Sequence, residues 1–479
     1  MQPDRTFSIE GNKMKNRVRI IILLITTICL HGCASNAAQM TSVPPEQKLA
    51  GTPGISIPNT EDTPATETVP VTNLDVSCWP IKPYNEADTI KGSFIYAHFD
   101  SSDRSEVSSV FAWDISSLRS MEITLETSQL KSLIAHGRVS PDGKTVSVIS
   151  GATLLLINED SVQSFPLQYY DISIEKYLSD GRIFLVSEDL SAERRGSFIT
   201  NEGLIDTYYI FDPATGETTK HTVYLPNFEM GRHKNISIKY SPDLRYVLYR
   251  SKHDVDESGY FVDQFTLLDL EQKEILWVGP SLGTDLANIE VPAWRPNTND
   301  LTALYFIRNT DNTNYYSISL DGKVSLLTNF DDIFSSLSSV SMALWAPSPN
   351  WSPNGRYLIS KGQTKDDYLA LGHGTYLYIW DSQDNVGYKP CLPDERKNIL
   401  PIPLIWSFNE SYVVVSLVFA PSPTPTNVPP PGYVEERYFL DLVNKVIYEF
   451  PDKDSRGEFF TRYGSGENVF LGWIDWEIP

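Results

Sequence analysis

A short turn sequence recurs along this chain and restricts what it can fold into. It is plainest at Val139-Ser140-Pro141-Asp142-Gly143-Lys144, with looser copies at 178–182, 241–245, 294–297, 351–356 and 406–410. Each copy leads into a β-branched or aromatic run, such as 145–149 or 412–417. The chemistry is that of a hairpin: proline presets φ at the first corner, Asp or Asn tolerates the second, and Gly takes the left-handed position.

A second marker runs out of phase with the first. Apolar runs end in an acid or amide and then a polar turn, at Asp114, Asn158, Asp212, Asp269, Asp321, Asp381 and Asp441. From Asp114 to Asp441 these cover 327 residues in six steps, about 54 each. The runs alternate or are β-branched, which excludes a helical array. Two markers sharing one long period, with room for four short strands per repeat, predict an all-β fold, a β-propeller.

From about Lys91 onward, 389 residues divide into seven units of about 56, and the count also admits six or eight. The second unit is compressed, with 39 residues from Ser140 to Ser179, so its turns must be minimal. The first unit lacks its innermost strand. A matching strand stands at the other end of the chain, at 469–476, and its pairing into the first blade is expected to close the ring and remove two exposed sheet edges.

The segment before the repeats has a different character. Lys13, Lys15, Arg17 and Arg19 precede an apolar run at 20–30, followed by Leu30-His31-Gly32-Cys33. That run is too short to span a bilayer, which takes about 20 residues, but it fits a secretory signal; Met14 begins a better-proportioned one than Met1. Leu30 and Gly32 before Cys33 resemble the bacterial lipobox. The resemblance implies cleavage after Gly32 and lipidation of Cys33, which would hold the protein to a membrane through its N-terminus. Residues 33–77, rich in Thr, Pro and Ser, read as an extended, disordered tether. The expected organisation is a signal peptide over 1–32, the tether over 33–77 and the propeller over 78–479.

Charge narrows the partners. The net charge is −22, and without the five basic and two acidic residues of 1–32 it becomes −25, with 34 basic residues against 59 acidic. Such a surface argues against nucleic acid, whose phosphates call for Lys and Arg. Basic peptides or divalent cations are compatible partners. With Cys33 lipidated, Cys78 and Cys391 are an even pair for an oxidising compartment; either they form a disulfide or both stay as thiols.

No constellation for chemistry emerges. Asp254-x-Asp256-x-Ser258-Gly259 has the spacing of half a calcium loop, but Phe265 stands where a bidentate carboxylate is needed. His98, His136, His221, His233, His253 and His373 show no metal-ligand spacing, and there is no Gly-x-Ser-x-Gly elbow. The repeated Asp residues read as turn formers. Trp294, Trp351 and Trp406 read as packing between blades. Neither catalytic residues, nor a cofactor, nor a metal is assigned. The proline-rich segment 421–431 falls between two strands of the last unit and reads as a projecting loop.

The Ser-Pro-Asp-Gly-Lys turn, the aromatic before it and the strand-Asp turn together resemble the WD40-like repeats of TolB-type propellers, over about four fifths of the chain. The resemblance implies an extracytoplasmic protein-binding platform, here a lipid-anchored one at the bacterial cell envelope, taking a protein, peptide or other ligand. The alternative is a propeller-based enzyme, a lyase or glycosidase, with acidic residues converging on the central channel. Fold alone does not decide between them.

Overall fold

In the computed structural model the residues described are 73–75, 77–84, 90–99, 106–168, 172–187, 198–200, 203–229, 238–255, 261–279, 286–288, 292–307, 312–328, 350–363, 375–391, 402–419, 434–451 and 467–478. They form seven sheets, here called blades one to seven, whose strands a to d run outward and pair antiparallel; these strands fall within 93–123 together with 467–474, then 133–166, 172–226, 238–278, 286–326, 350–388 and 402–449. The lone helix among them, Thr127–Lys131, carries a capping box between Glu126 and Gln129.

Blade two shows the plan. Leu133–Val139, Val146–Ser150, Thr153–Asn158 and Ser161–Pro166 pair in sequence order. Gly151 and Ala152 alone join its second and third strands, so the compressed unit does use a minimal turn. Blade seven follows the same plan with Ile402–Trp406, Tyr412–Phe419, Val434–Asp441 and Val446–Glu449.

Strands inside the ring are apolar on both faces because each face meets another blade. In blade one, Ile95 and Ala97 of Ser93–Phe99 pack with Val146, Val148 and Leu155 of blade two. The alternate residues Phe94 and Tyr96 pack with Tyr412, Val414 and Phe439 of blade seven. A period of two thus fills two different cores from one strand. Comparable clusters join blades two and three, three and four, four and five, and six and seven.

Closure is as expected. Glu467–Ile474 pairs antiparallel with Ser93–Phe99, Ile474 opposite Ser93 and Glu467 opposite Phe99, and becomes the innermost strand of blade one. Trp473 is fully buried, stacks on Tyr412 of blade seven, meets Phe94 and Phe439, and donates its indole N–H to the Lys91 carbonyl. Gly137 and Gly472 are needed here. A Cβ on Gly137 would run into the Leu471 backbone, and one on Gly472 into Val139 and Val146 of blade two.

The N-terminal part of the body adds a second fastening. Asn73–Asp75, placed in the tether by the sequence, is a strand lying parallel to Val386–Tyr388 on the outer edge of blade six. Ile81–Lys82 lies parallel to Ile447 and Tyr448 on the outer edge of blade seven. Between them, Cys78 is disulfide-bonded to Cys391, just beyond the outer strand of blade six, with a Cα–Cα distance of 4.6 Å. Lys445, in the last turn of blade seven, pairs with Asp75 at 3.1 Å and sits over the Tyr388 ring. Residues 73–75 and 77–82 therefore form a strap along the outer edges of blades six and seven.

Candidate functional site: two rims and an axial wall

In a four-stranded antiparallel blade, the a–b and c–d turns fall at one end. The b–c connection and the link to the next blade fall at the other. The first rim consists of short turns throughout, and most of their Ser, Asp and Asn side chains bond within their own turn. In the turn of blade two, Ser140 Oγ donates to Asp142 Oδ1 and accepts the Thr145 N–H, Asp142 Oδ1 also accepts the Lys144 N–H, and Gly143 sits at φ 72°. Ser241 with Asp243, Ser352 with Asn354 and Ser407 with Asn409 repeat the motif. Leu244, Gly355 and Glu410 take the left-handed position in these copies.

The acids that end each strand c fill the role read from the sequence. Asp114, Asp212, Asp269, Asp381 and Asp441 each accept backbone N–H groups two or three residues ahead, and Asn158 does likewise. Asp321 caps its own turn through Ser319 and Lys323. In blades four and six an Arg after the a–b turn completes the arrangement, with Arg245 on Asp269 at 3.0 Å and Arg356 on Asp381 at 2.7 Å. Burial pushes the Asp269 carboxyl up, but the Gln272 N–H, the Arg245 guanidinium and the Glu271 N–H outweigh it and hold the group below the usual carboxylate range. These carboxylates serve as turn caps and do not form a ring facing the axis.

Neighbouring a–b turns are also bound to one another. Asp475 N–H donates to the Gly143 carbonyl and the Trp476 indole to that of Lys144. Lys176 Nζ donates to Tyr240 and Ser241 carbonyls, Asn299 reaches Asp243, Arg295 donates to the Gly355 carbonyl, and Glu410 accepts the Asn354 N–H. The tryptophans stand between blades. Trp294 donates to Lys239 of blade four, Trp351 to Thr302 of blade five, and Trp406 stacks on Tyr357 of blade six.

The axial wall carries a pattern that the sequence analysis missed. The residue two places before each a–b turn is Arg138 in blade two, Lys176 in blade three and Lys239 in blade four; in blades five, six and seven it is Ala293, Asn350 and Ile405. Arg138 is exposed, and its guanidinium donates to the carbonyls of Glu175 and Gly137. Lys239 lies 3.9 Å from the Glu175 carboxylate, with both side chains more than 40% exposed. Lys176 is largely buried, and that burial lowers its amine to about 8. Inner strands bulge at this height. Register shifts fall between Ile134 and Arg138, Ile174 and Lys176, and Pro403 and Ile405. Bulges of this kind re-aim side chains.

The second rim carries every long connection, at 188–197, 227–237, 279–285, 327–349, 364–374, 389–401, 420–433 and 450–466. Most of those residues lie outside the described set. So do the candidate lipidation site Cys33, the proline-rich segment, the 256–259 part of the calcium-like spacing, and the side chains of His233, His253 and His373. His98, His136 and His221 sit on three separate blades. Among the described residues no group of three or more His, Cys, Asp or Glu is placed to hold a metal, and no helix is long and apolar enough to cross a membrane.

These pairings define the protein as a seven-bladed β-propeller closed by its C-terminal strand. No protein-family model and no curated protein sequence matches the chain. Among solved structures it is similar to a putative TolB from Agrobacterium tumefaciens, at 14% identity over 63% of this chain and 88% of that one, with a TM-score of 0.30. It is also similar to the β-propeller domain of the Trilobed protease from Pyrococcus furiosus, described as having an open velcro topology, at 11% identity over 72% and 87%, TM-score 0.42. A third is an acylaminoacyl peptidase from Pyrococcus horikoshii, at 12% identity over 79% of this chain and 55% of that one, TM-score 0.44.

Proposed function

We propose that this protein is an extracytoplasmic binding platform, held to the cell membrane of a bacterium by a lipid on Cys33, with 1–32 as its signal peptide. In this reading it captures a protein or peptide ligand at the rim that carries the long connections. One observation carries it: the short-turn rim is built of tight turns capped by their own side chains, whereas the length variation is collected on the opposite rim, where repeat proteins place their binding loops. The strap supports the same orientation. Asn73 lies beside Val386, at the short-turn end of blade six, so the tether would leave from the rim opposite the binding loops.

Two measurements test this. Cys33→Ser should move the protein from the membrane to the soluble fraction and abolish labelling by a palmitate analogue. The full chain, used as bait in an envelope extract, should retain a partner that is lost when 420–433 is replaced by a Gly-Ser linker and 364–374 by another. Retention of the same partner by both variants would refute the loop-rim assignment.

A further inference from the structure

We propose that the inner strands of blades two to four form a cationic arc that takes the carboxylates of an acidic peptide segment entering the axial channel. The proposal builds on the platform reading and supplies the chemistry of what reaches the axis.

The protein as a whole is strongly acidic, at −22. Yet at one repeat position, two residues before the a–b turn, three consecutive blades place Arg138, Lys176 and Lys239, while the next three place neutral residues. The described contacts hold these groups together around one stretch of blade three. Arg138 Nε donates to the Glu175 carbonyl, Lys239 Nζ is 3.9 Å from the Glu175 carboxylate, and Lys176 is the next residue. That is three cations to two carboxylates, Glu175 and the Asp243 of the adjacent turn, which acts on Lys176 and is itself bonded to Ser241 and Asn299.

The two outer members of the arc are available. Arg138 donates to two carbonyl oxygens, which use its N–H groups without neutralising its charge. A guanidinium of this kind suits a carboxylate, which can accept two parallel N–H bonds. Lys239 and Glu175 are both substantially exposed at a separation that is long for a tight pair, so an incoming carboxylate competes with Glu175 at modest cost. Lys176 does not reach out. Its amine is bonded to the Tyr240 and Ser241 carbonyls, where it fixes blade three to blade four and adds positive potential behind the wall. Strand a is the innermost strand of its blade, and its sides are packed against neighbours, as Gly137 is against Leu471. Arg138 reaches across to Glu175 of blade three and Lys239 reaches the same residue from blade four, so these exposed groups lie where neighbouring inner strands meet around the axis.

A peptide is favoured over a single small acid because the cations are spread across blades two to four. An extended chain with alternate side chains on one side spaces its carboxylates about 7 Å apart and can engage Arg138 and Lys239 together.

The test is titration of the full chain, in detergent and at low salt, with fluorescently labelled penta-glutamate, penta-lysine and a uronic-acid oligomer. Penta-glutamate should bind, penta-lysine should not, and binding should fall steeply as salt is raised. Arg138→Gln and Lys239→Gln should each weaken it about tenfold, the size expected for one charge-assisted contact, with unchanged thermal unfolding as a check on folding. Glu175→Gln should strengthen it. Failure of penta-glutamate to bind, or binding that survives the Arg138→Gln, Lys239→Gln double variant, would overturn the proposal. Tighter binding of the uronic-acid oligomer would overturn the assignment to a peptide. Loss of penta-glutamate binding with envelope-partner capture intact would leave the loop-rim reading standing, so the two fail separately.

Discussion

Phe408 of blade seven lies directly over Gly143 of blade two: a Cβ built on Gly143 would stand 2.8 Å from Phe408 Cβ. These blades are separated in the ring by blade one, which has no a–b turn because its inner strand is the C-terminal strand. The turns on either side close over that gap. Gly143 carries two requirements at once, a positive φ and a bare Cα under an aromatic side chain.

Gly143→Ala should therefore cost more than Gly181→Ala. Both glycines have a positive φ, but Gly181 has nothing within 4 Å of a built Cβ. The left-handed conformation costs each variant about 1–2 kcal/mol, and overpacking against Phe408 adds about 1–3 kcal/mol to the first. Urea unfolding of the two variants measures the difference.

Trp473→Ala should lose about 3–5 kcal/mol, the range for removing a fully buried large aromatic side chain. It empties the seam between blades one and seven and deletes the bond to the Lys91 carbonyl. Hydrogen exchange should rise first in Ser93–Phe99 and Tyr412–Phe419, on either side of that seam.

Glu410 is buried in the seam between blades six and seven, with one oxygen accepting the Asn354 N–H and the other without a partner among the described residues. Burial raises its carboxyl above the usual range, against the weaker opposing pull of the Asn354 N–H, Ser352 and Arg356. A raised folded-state value means that its contribution is fully present below the unfolded carboxylate range and is lost as pH rises through the folded one. Glu410→Gln should then stabilise by about 1 kcal/mol at pH 7 and show little gain near pH 4. Thermal midpoints at the two pH values decide it.

Asp269 has the opposite sign. Its carboxyl is held low, so its contribution is present at neutral pH and is lost as pH falls below the ordinary carboxylate range. Asp269→Asn should lower stability at pH 7 and flatten the acid limb of a plot of unfolding midpoint against pH.

Reduction of the Cys78–Cys391 disulfide should loosen the strap while leaving the ring closed, because Glu467–Ile474 fastens blade one independently. A native disulfide is commonly worth about 2–4 kcal/mol. Limited proteolysis should show new cleavage near 76–89 after reduction, with the remainder resistant. Cys78→Ser with Cys391→Ser should reproduce that pattern.

The architecture was legible because a tight turn leaves a local signature. Ser140-Pro141-Asp142-Gly143 and the strand-ending acids are dictated by backbone geometry a few residues long, and so they survive as readable letters. The strap was not legible. Asn73–Asp75 borrows its order from Val386–Tyr388, more than 300 residues away, and a parallel edge strand of three residues has no pattern of its own. The axial cations were visible one at a time, but Arg138, Lys176 and Lys239 align only after the turns have been superposed. Glu410 gave a subtler signal, a charged residue where the copies at 143 and 355 have glycine. Its neighbour across the blade boundary, Asn354, is not predictable from the local sequence.

The strap also bears on how the molecule responds to a pull. Tension from the N-terminal side enters at Asn73, and parallel pairing to Val386–Tyr388 opposes it along the strand direction, as shear. Past that strand the load meets the covalent link at Cys78 and then the pairing of Ile81–Lys82 to blade seven. A force applied at the N-terminal side would thus pull on two sheets and a sulfur bridge together, and Ser93–Phe99, where the ring begins, would feel the strain last.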